Sequence, residues 1–295
     1  MVVVFKAYNL ITHNLSHLFH FSSKKAFNLM KQGEISYCGQ IVREHDPDRF
    51  LLSHFAPFDR REGLWALYAF NYEIAKTREV VSETQLGLIR LQWWRDAVAT
   101  IYNEGAAVPE HAVVQAMARA VDAYDLPRED FDALIYAREF DLEDVLPSDL
   151  EGWVHYADYT SVPLLKLAAR IVGADVDMEP IAAVGVNYAV AGILRASVSF
   201  ARQRRCYLPQ DLMVEHDVSV NKLYELKRQD GLVDVVRAVA ETFVDGVKCE
   251  DRFLRAHQRL AALYMGQLKR LGYDVFDGRL MLPPAFKALR LYLDL

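Results

Sequence analysis

Apolar residues recur at steps of three and four along most of the chain after residue 34, the period of helices that bury one face. The segments 59–80 and 82–103 show this pattern most clearly, and Asp59 and Ser82 stand at their starts as expected N-caps. The same period predicts further helices at 109–124, 127–144, 149–172, 178–205, 219–228, 232–258, 259–271 and 284–293. Since no run alternates with a period of two between hairpin turns, the sequence predicts an all-α protein.

The segment 178–205 is apolar on nearly every side, which predicts a central, largely buried helix. Gly185 and Gly192 lie seven residues apart in it, so we expect a close helix contact along that face. Pro163 is expected to kink or split the helix over 149–172. Helices of this length often enclose a ligand cavity, so we predict a single large helical bundle over 34–295 with a central apolar cavity.

The first 33 residues differ in composition from the rest. They contain no Asp or Glu and carry four lysines, so their charge is +4, whereas the whole chain of 295 residues has a net charge of −6. Two interpretations stay open: a peripheral targeting arm, or upstream sequence that precedes a true start at Met30. In either case we expect 1–33 to be an extension of the helical domain, with no fixed structure of its own.

Composition narrows the function classes. The chain is 52% apolar, and its basic residues are interleaved with acidic ones in no long block of like charge, which argues against a nucleic-acid partner. No stretch of 18 uninterrupted apolar residues occurs, which argues against a bilayer-spanning helix. Trp93 and Trp94 are neighbours on one predicted helix, so we expect one in the core and the other at the surface as an interface anchor.

Two blocks of sequence carry a resemblance. FLLSHFAPFDRREGLWALYAFNYEIA and ILRASVSFARQRRCYLPQDLM resemble the squalene/phytoene synthase family, in order and over about residues 36–290. The resemblance implies an all-α isoprenoid-synthase fold around a deep apolar cavity. In that family two aspartate-rich segments on facing helices hold Mg²⁺ ions that bind prenyl diphosphates, because the leaving diphosphate must be neutralised.

The first of these segments is altered here. The family pattern YAFCRxxDDxxD aligns with residues 68–79, where its paired aspartates fall on Ala75 and Lys76 and the last acidic position is Glu79. A lysine at a ligand position repels Mg²⁺. The resemblance thus marks a degenerate first motif at Asn71, Glu73, Ala75, Lys76 and Glu79. We also expect Asn71, if buried, to have a hydrogen-bond partner.

The second segment and an upstream one are altered as well. The pattern NILRDxxED aligns with residues 192–200 and leaves a degenerate second motif of Arg195, Ala196, Ser199 and Phe200, with no carboxylate. The family's serine-rich phosphate-contacting segment falls on 45–49, which carries two aspartates. We expect Arg195 to pair with an acid of the first motif, either Glu73 or Glu79. The residues beside the motifs that we take as pocket or partner contacts are Tyr68, Tyr72, Arg205 and Tyr207.

The string AFNYEIAKTREVVSETQLGLIRLQWWRDAVATIY resembles a non-catalytic branch of that family, whose members assist assembly of respiratory complex I. The resemblance implies an assembly or interaction factor with no catalytic residues, no resident metal or cofactor, and a protein partner. Retained binding of a lipid or isoprenoid and peripheral contact with a membrane stay open. The alternative is an active prenyl transferase that uses non-standard carboxylates for Mg²⁺. We expect a bacterial cytoplasmic location, at or near the inner membrane, with the mitochondrial matrix as the alternative.

Overall fold

The computed structural model describes residues 35–143 and 145–293, so the predictions for residues 1–33, including Met30, lie outside the described part. Every regular element within those ranges is helical, which confirms the all-α prediction. In chain order the helices are α1 (Tyr37–His45), α2 (Pro47–Ser53), α3 (Arg61–Ala75), α4 (Thr77–Val80), α5 (Thr84–Ile101), α6 (Ala112–Tyr124), α7 (Arg128–Phe140), α8 (Leu150–Val172), α9 (Met178–Arg202), α10 (Gln210–Glu215), α11 (Val220–Tyr224), α12 (Leu232–Ala240), α13 (Arg252–Arg270) and α14 (Lys287–Leu293), with short 3₁₀ helices at Phe58–Arg60 and Gly278–Met281.

The apolar helix α9 lies at the centre of the bundle. It packs along α8 on one side and α13 on another, while α3 packs against α1, α6 and α8. By length and composition alone α9 could also cross a membrane. Somewhat under half of its most apolar window is buried in the protein, which is less than the largely buried helix that the sequence predicts. The helix contacts α8, α12 and α13, and these contacts explain its apolar residues as those of a helix in the core.

Side-chain caps start several of the helices. Ser36 accepts from the amide of Gly39 at 3.1 Å to begin α1, and Asp46 accepts from that of Arg49 at 3.0 Å to begin α2, satisfying amides that lack intrahelical partners. The expected caps Asp59 and Ser82 were wrong. Asp59 lies inside the 3₁₀ helix before α3, and α5 begins after Glu83 without a side-chain cap.

Helix boundaries differ from the prediction at three points. The expected helix 59–80 is interrupted at Lys76, where α3 ends and α4 begins. The expected helix 232–258 stops at Ala240. The helix α13 starts only at Arg252, because Asp251 caps it there, and it runs through the expected break after residue 258 to Arg270. Pro163 does not split its helix, since α8 runs unbroken through it with both flanking turns buried against α7 and α9.

Gly185 allows the close approach of α9 to α8. A Cβ at this position would lie 2.8 Å from a Val162 methyl and 3.1 Å from the Val162 Cα, whereas a Cβ at Gly192 would meet nothing within 4 Å. The expected small-residue contact is therefore made by Gly185 alone.

We expect Gly185→Ala to lower the free energy of unfolding by about 1–2 kcal/mol, because two packed backbones must move apart. Gly192→Ala is the matched control on the same helix and is expected to raise it by up to about 1 kcal/mol, since alanine is the better helix former. Urea denaturation measures both. Equal effects of the two substitutions would contradict the close packing of α8 and α9.

Candidate functional site

Three segments that the resemblance singled out converge on the interior of the bundle. The first motif occupies the end of α3 and the start of α4, the second occupies the last turns of α9, and the upstream segment joins α1 to α2. Their polar side chains take part in three groups of ion pairs, each built around one carboxylate.

The first group, the Glu73 cluster, consists of Glu73, Lys76 and Arg90. Glu73 is 7% exposed on α3. Its Oε1 lies 2.6 Å from the Lys76 ammonium, and its Oε2 accepts from Arg90 of α5 at 2.9 Å. Both carboxylate oxygens are thus bound by cations of the chain itself.

Tyr72 ties the first motif to the upstream segment. Its ring stacks on His45 with centroids 4.2 Å apart and planes 4° from parallel, and the Lys76 ammonium lies 4.8 Å from the same ring centroid. The predicted contact residue Tyr72 therefore takes part in packing between α1 and α3.

The second group, the Asp141 cluster, joins the two motifs. Asp141 follows α7 and is buried. Its Oδ1 accepts from the hydroxyls of Tyr156 at 2.7 Å and Tyr207 at 2.8 Å, and its Oδ2 accepts from Arg138 at 3.2 Å. The remaining members are Asn71, Glu79 and Arg205.

Arg138 and Arg205 extend this cluster to both motifs. Arg138 also donates to the Oδ1 of Asn71 at 3.4 Å, so the expectation that buried Asn71 is paired is confirmed. Arg205 lies 3.8 Å from Glu79, 3.9 Å from Asp141, and donates to the Tyr207 hydroxyl. Burial opposes the charge of Arg205, but Tyr207 and Asp141 together raise its pKa.

The third group, the Asp48 cluster, corrects the expected partner of Arg195. Arg195 pairs with neither Glu73 nor Glu79. It lies 3.6 Å from Asp48, and its guanidinium carbon is 3.4 Å from the Tyr264 ring centroid. Asp48 also accepts from the Tyr264 hydroxyl at 2.7 Å and from Lys287. The acid that pairs with Arg195 therefore comes from the upstream segment and not from the first motif.

The other second-motif residues supply no charge. Ala196 and Ser199 are half-buried on α9, and Ala75 is half-buried at the end of α3. The ring of Phe200 meets Tyr207 edge-on with centroids 4.8 Å apart, and Arg205 lies 5.3 Å from the Phe200 centroid. A phenyl ring and an arginine thus occupy the region where the family pattern places carboxylates.

Little space remains at the best-formed pockets of the described interior, where the sequence predicts a central cavity. The two best-formed pockets among the described residues each hold about one water molecule. Tyr68, predicted as a pocket residue, lines the first of them with Arg49, Tyr188 and His257. Burial opposes the charge of Arg49, yet the Asp46 carboxylate at 2.6 Å raises its pKa. Burial lowers the pKa of His257 to about 3, which keeps it neutral.

The arrangement does not fit the Mg²⁺ cluster that the resemblance implies. Mg²⁺ requires several oxygen ligands in octahedral geometry. Ala75, Ala196 and Phe200 offer none, Lys76 brings a positive charge, and both oxygens of Glu73 are bound by cations. In the described ranges no group of three or more His, Cys, Asp or Glu side chains is placed to hold a metal ion.

The predicted tryptophan pair is placed as expected. Trp94 is buried, while Trp93 is 42% exposed on the outer face of α5. Leu86 and Ile89 lie on that face too, at 48% and 59% exposure, so α5 presents an apolar stripe to solvent. Arg202 and Arg204, which flank Arg205 in sequence, are also exposed.

Sequence reasoning missed the residues that hold the clusters together. Asp141 and Tyr264 belong to no recognised motif, and Arg90 lies in the string that resembles the non-catalytic branch but was not assigned as a partner of Glu73. One signal was available for Asp48. It is an aspartate in a segment that is serine-rich in the family, and Arg195 of the same chain is followed by Ala196 where the family pattern has an aspartate.

Comparison with solved structures defines the class of the fold. A dehydrosqualene synthase crystal structure superposes with a TM-score of 0.69 at 18% identity, covering 88% of this chain and 93% of that one. The squalene synthase HpnC from Alicyclobacillus acidocaldarius gives 0.66 at 19% identity over 80% and 93%. The chain has the all-α isoprenoid-synthase fold.

Sequence comparison identifies the family. The Squalene/phytoene synthase profile matches residues 42–285, and the chain belongs to that family. NADH dehydrogenase (ubiquinone) complex I, assembly factor 6 from Bos taurus is 28% identical over 89% of this chain and 82% of its own length. The Homo sapiens protein of that name is 26% identical over the same shares. Phytoene synthase from Thermus thermophilus is 28% identical over 85% and 92%.

Proposed function

We propose that this protein is a non-catalytic member of its family that assists assembly of respiratory complex I through contacts with protein partners. The observation that carries the proposal is the occupation of the metal-binding positions by internal ion pairs. The Glu73 carboxylate is held by Lys76 and Arg90, and the acids of the second family pattern are replaced by Ala196, Ser199 and Phe200 on α9.

The similarity to assembly factor 6 supports this proposal. Several relatives of that name, from mammals, Dictyostelium discoideum and Drosophila melanogaster, are 26–28% identical to the chain. The family also contains prenyl transferases, and a presqualene diphosphate synthase is 26% identical over 69% of the chain. The names therefore leave both functions open, and the Glu73 and Asp141 clusters favour the assembly role over the active transferase.

The structure bears on the proposed lipid ligand as well. The two best-formed pockets each have room for about one water molecule, too little for a prenyl chain. Interior binding of a lipid is therefore not part of the proposal. Of the two compartments left open, the animal relatives favour the mitochondrial matrix over the bacterial cytoplasm.

Deleting the gene in its source organism tests the proposed role. We expect NADH:ubiquinone oxidoreductase activity and the assembled complex on native gels to fall together, because the subunits fail to join. Succinate dehydrogenase activity is the control and should be unchanged. Normal levels of assembled complex I in the deletion strain would contradict the proposal.

The exposed stripe of α5 is the surface that we expect the protein partner to contact. Large apolar and aromatic side chains at a surface are typical of interface hot spots. We expect Ile89→Glu with Trp93→Ser to weaken binding of the partner by about tenfold or more, and so to lower rescue of complex I in the deletion strain.

The matched control for this test is Tyr136→Ser with Val214→Ser, two similarly exposed apolar residues on α7 and α10. This control variant should restore complex I in the deletion strain as well as the unchanged protein does. Thermal unfolding of both double variants checks that they fold. Full rescue by the folded α5 variant would exclude the α5 stripe as the partner surface.

A further inference from the structure

The C-terminal segment, residues 278–293, exposes many large apolar side chains to solvent. It consists of the 3₁₀ helix Gly278–Met281, a short connection and α14. Six of its large apolar side chains are more than half exposed: Met281, Leu282, Phe286, Leu289, Tyr292 and Leu293. Exposed patches of this kind mark contact surfaces.

This surface is held in place by the body of the protein. Gln267 of α13 donates to the carbonyl of Arg279 at 2.8 Å and to that of Leu282 at 3.1 Å. Leu280 and Leu291 are buried in the core, and Lys287 reaches Asp48. The segment is therefore anchored at both ends, and its apolar side chains are presented outward by packing.

The outward face of α14 is apolar where a solvated helix would be polar. Ala288, Leu289, Tyr292 and Leu293 are its exposed positions, while Leu291 packs inward and Lys287 and Arg290 are half-buried. This is the reverse of the usual amphipathic arrangement, in which the charged face meets water.

The C-terminal segment itself carries cations only, although acids lie beside it: Lys287 pairs with Asp48, and Asp294 follows Leu293 in the sequence. The C-terminal segment contains Arg279, Lys287 and Arg290 and no acidic residue, in a chain whose net charge is −6. The end of α13, beside the Gln267 anchor, adds exposed Lys269 and Arg270. Asp277 pairs with Arg279, whose side chain is nevertheless 71% exposed.

We propose that the C-terminal segment binds the surface of an anionic phospholipid bilayer, with its apolar side chains at the boundary of the acyl chains and its cations at the headgroups. Apolar side chains with an aromatic ring, rimmed by Lys and Arg, are the composition of interfacial membrane contacts. The cations favour a lipid surface over a neutral protein groove, since each adds attraction to anionic headgroups. This membrane contact does not depend on the proposed assembly role, and the two proposals are tested separately.

Vesicle co-sedimentation of the purified full chain tests the proposal. We expect binding to phosphatidylcholine vesicles that contain phosphatidylglycerol, weaker binding to phosphatidylcholine alone, and loss of the difference at high salt. Phe286→Ser with Leu289→Gln and Leu293→Gln should weaken binding by about tenfold or more. Arg279→Gln with Arg290→Gln should reduce the preference for anionic vesicles.

Two controls keep the test decisive. Tyr136→Ser with Val214→Ser removes exposed apolar side chains elsewhere and should bind vesicles as the unchanged protein does. Tyr292→Trp should show a blue-shifted fluorescence emission on adding anionic vesicles. Failure of the unchanged chain to sediment with anionic vesicles would overturn the proposal. So would unchanged binding by the folded triple variant, and if that variant then failed to rescue complex I, the patch would be a protein-docking surface.

Discussion

Replacing Asp141 by alanine is expected to lower the free energy of unfolding by about 3–5 kcal/mol. Its carboxylate is 2% exposed and accepts hydrogen bonds from Tyr156, Tyr207 and Arg138. Removing it leaves the guanidinium groups of Arg138 and Arg205 without their shared counter-charge in an interior where charge is costly. Chemical denaturation followed by circular dichroism measures the loss.

The control for Asp141 is an exposed carboxylate in a similar short-range pair. Asp234 pairs with Arg237 at 2.5 Å, and both side chains are nearly half exposed. Asp234→Ala should cost no more than about 1 kcal/mol, because water screens that pair. If both substitutions cost the same, the Asp141 cluster would not hold the two motifs together.

Replacing Lys76 by aspartate, which restores the acid of the family pattern, is expected to destabilise the protein by about 2–4 kcal/mol. Glu73 would lose its partner at 2.6 Å and gain a like charge one helical turn away, keeping only Arg90. The expected loss of stability is moderate because the side chains of Lys76 and Arg90 are a quarter to a third exposed.

Lys76→Gln is the matched control, since it keeps a hydrogen-bond donor without either charge. It should cost about 1 kcal/mol. Thermal unfolding should show the order unchanged protein, Lys76→Gln, Lys76→Asp from most to least stable. An aspartate variant that is as stable as the unchanged protein, or that Mg²⁺ stabilises strongly, would mean that the Glu73 site still suits a metal.

The fold was predictable because it follows from local periodicity. The three-and-four spacing of apolar residues located most helices of the bundle. It missed the interruptions at Lys76 and after Ala240, placed a break after residue 258 inside α13, and did not give α1, α2 and α10. The first interruption lies where polar residues interrupt the apolar pattern without a Pro or Gly, whereas the second contains Gly246, whose φ of 71° marks a stop that the prediction passed over. The capping interactions were less predictable, because Asp59 and Ser82 fit a cap by sequence and are displaced by the turns that precede their helices.

The site was only partly predictable. The altered positions were predicted from their departure from a family pattern, but the ion pairs found around them depend on long-range contacts. Arg195 meets Asp48 across 147 positions of sequence, and Tyr207 meets Asp141 across 66. The spacing of residues along the chain does not predict contacts between positions so far apart in sequence. The small size of the interior pockets was unpredictable for the same reason. The apolar pattern predicts which face of each helix is buried, but not the volume that remains between the packed helices.

Incubating the purified protein with farnesyl and geranylgeranyl diphosphate plus Mg²⁺ tests the central claim most directly. Substrate loss is followed by mass spectrometry, and the phytoene synthase of Thermus thermophilus is the positive control. The ion pairs predict no consumption above a protein-free blank and no Mg²⁺-dependent binding by calorimetry. Turnover that disappears in Glu79→Ala would contradict the account and show that the site has been rebuilt for catalysis.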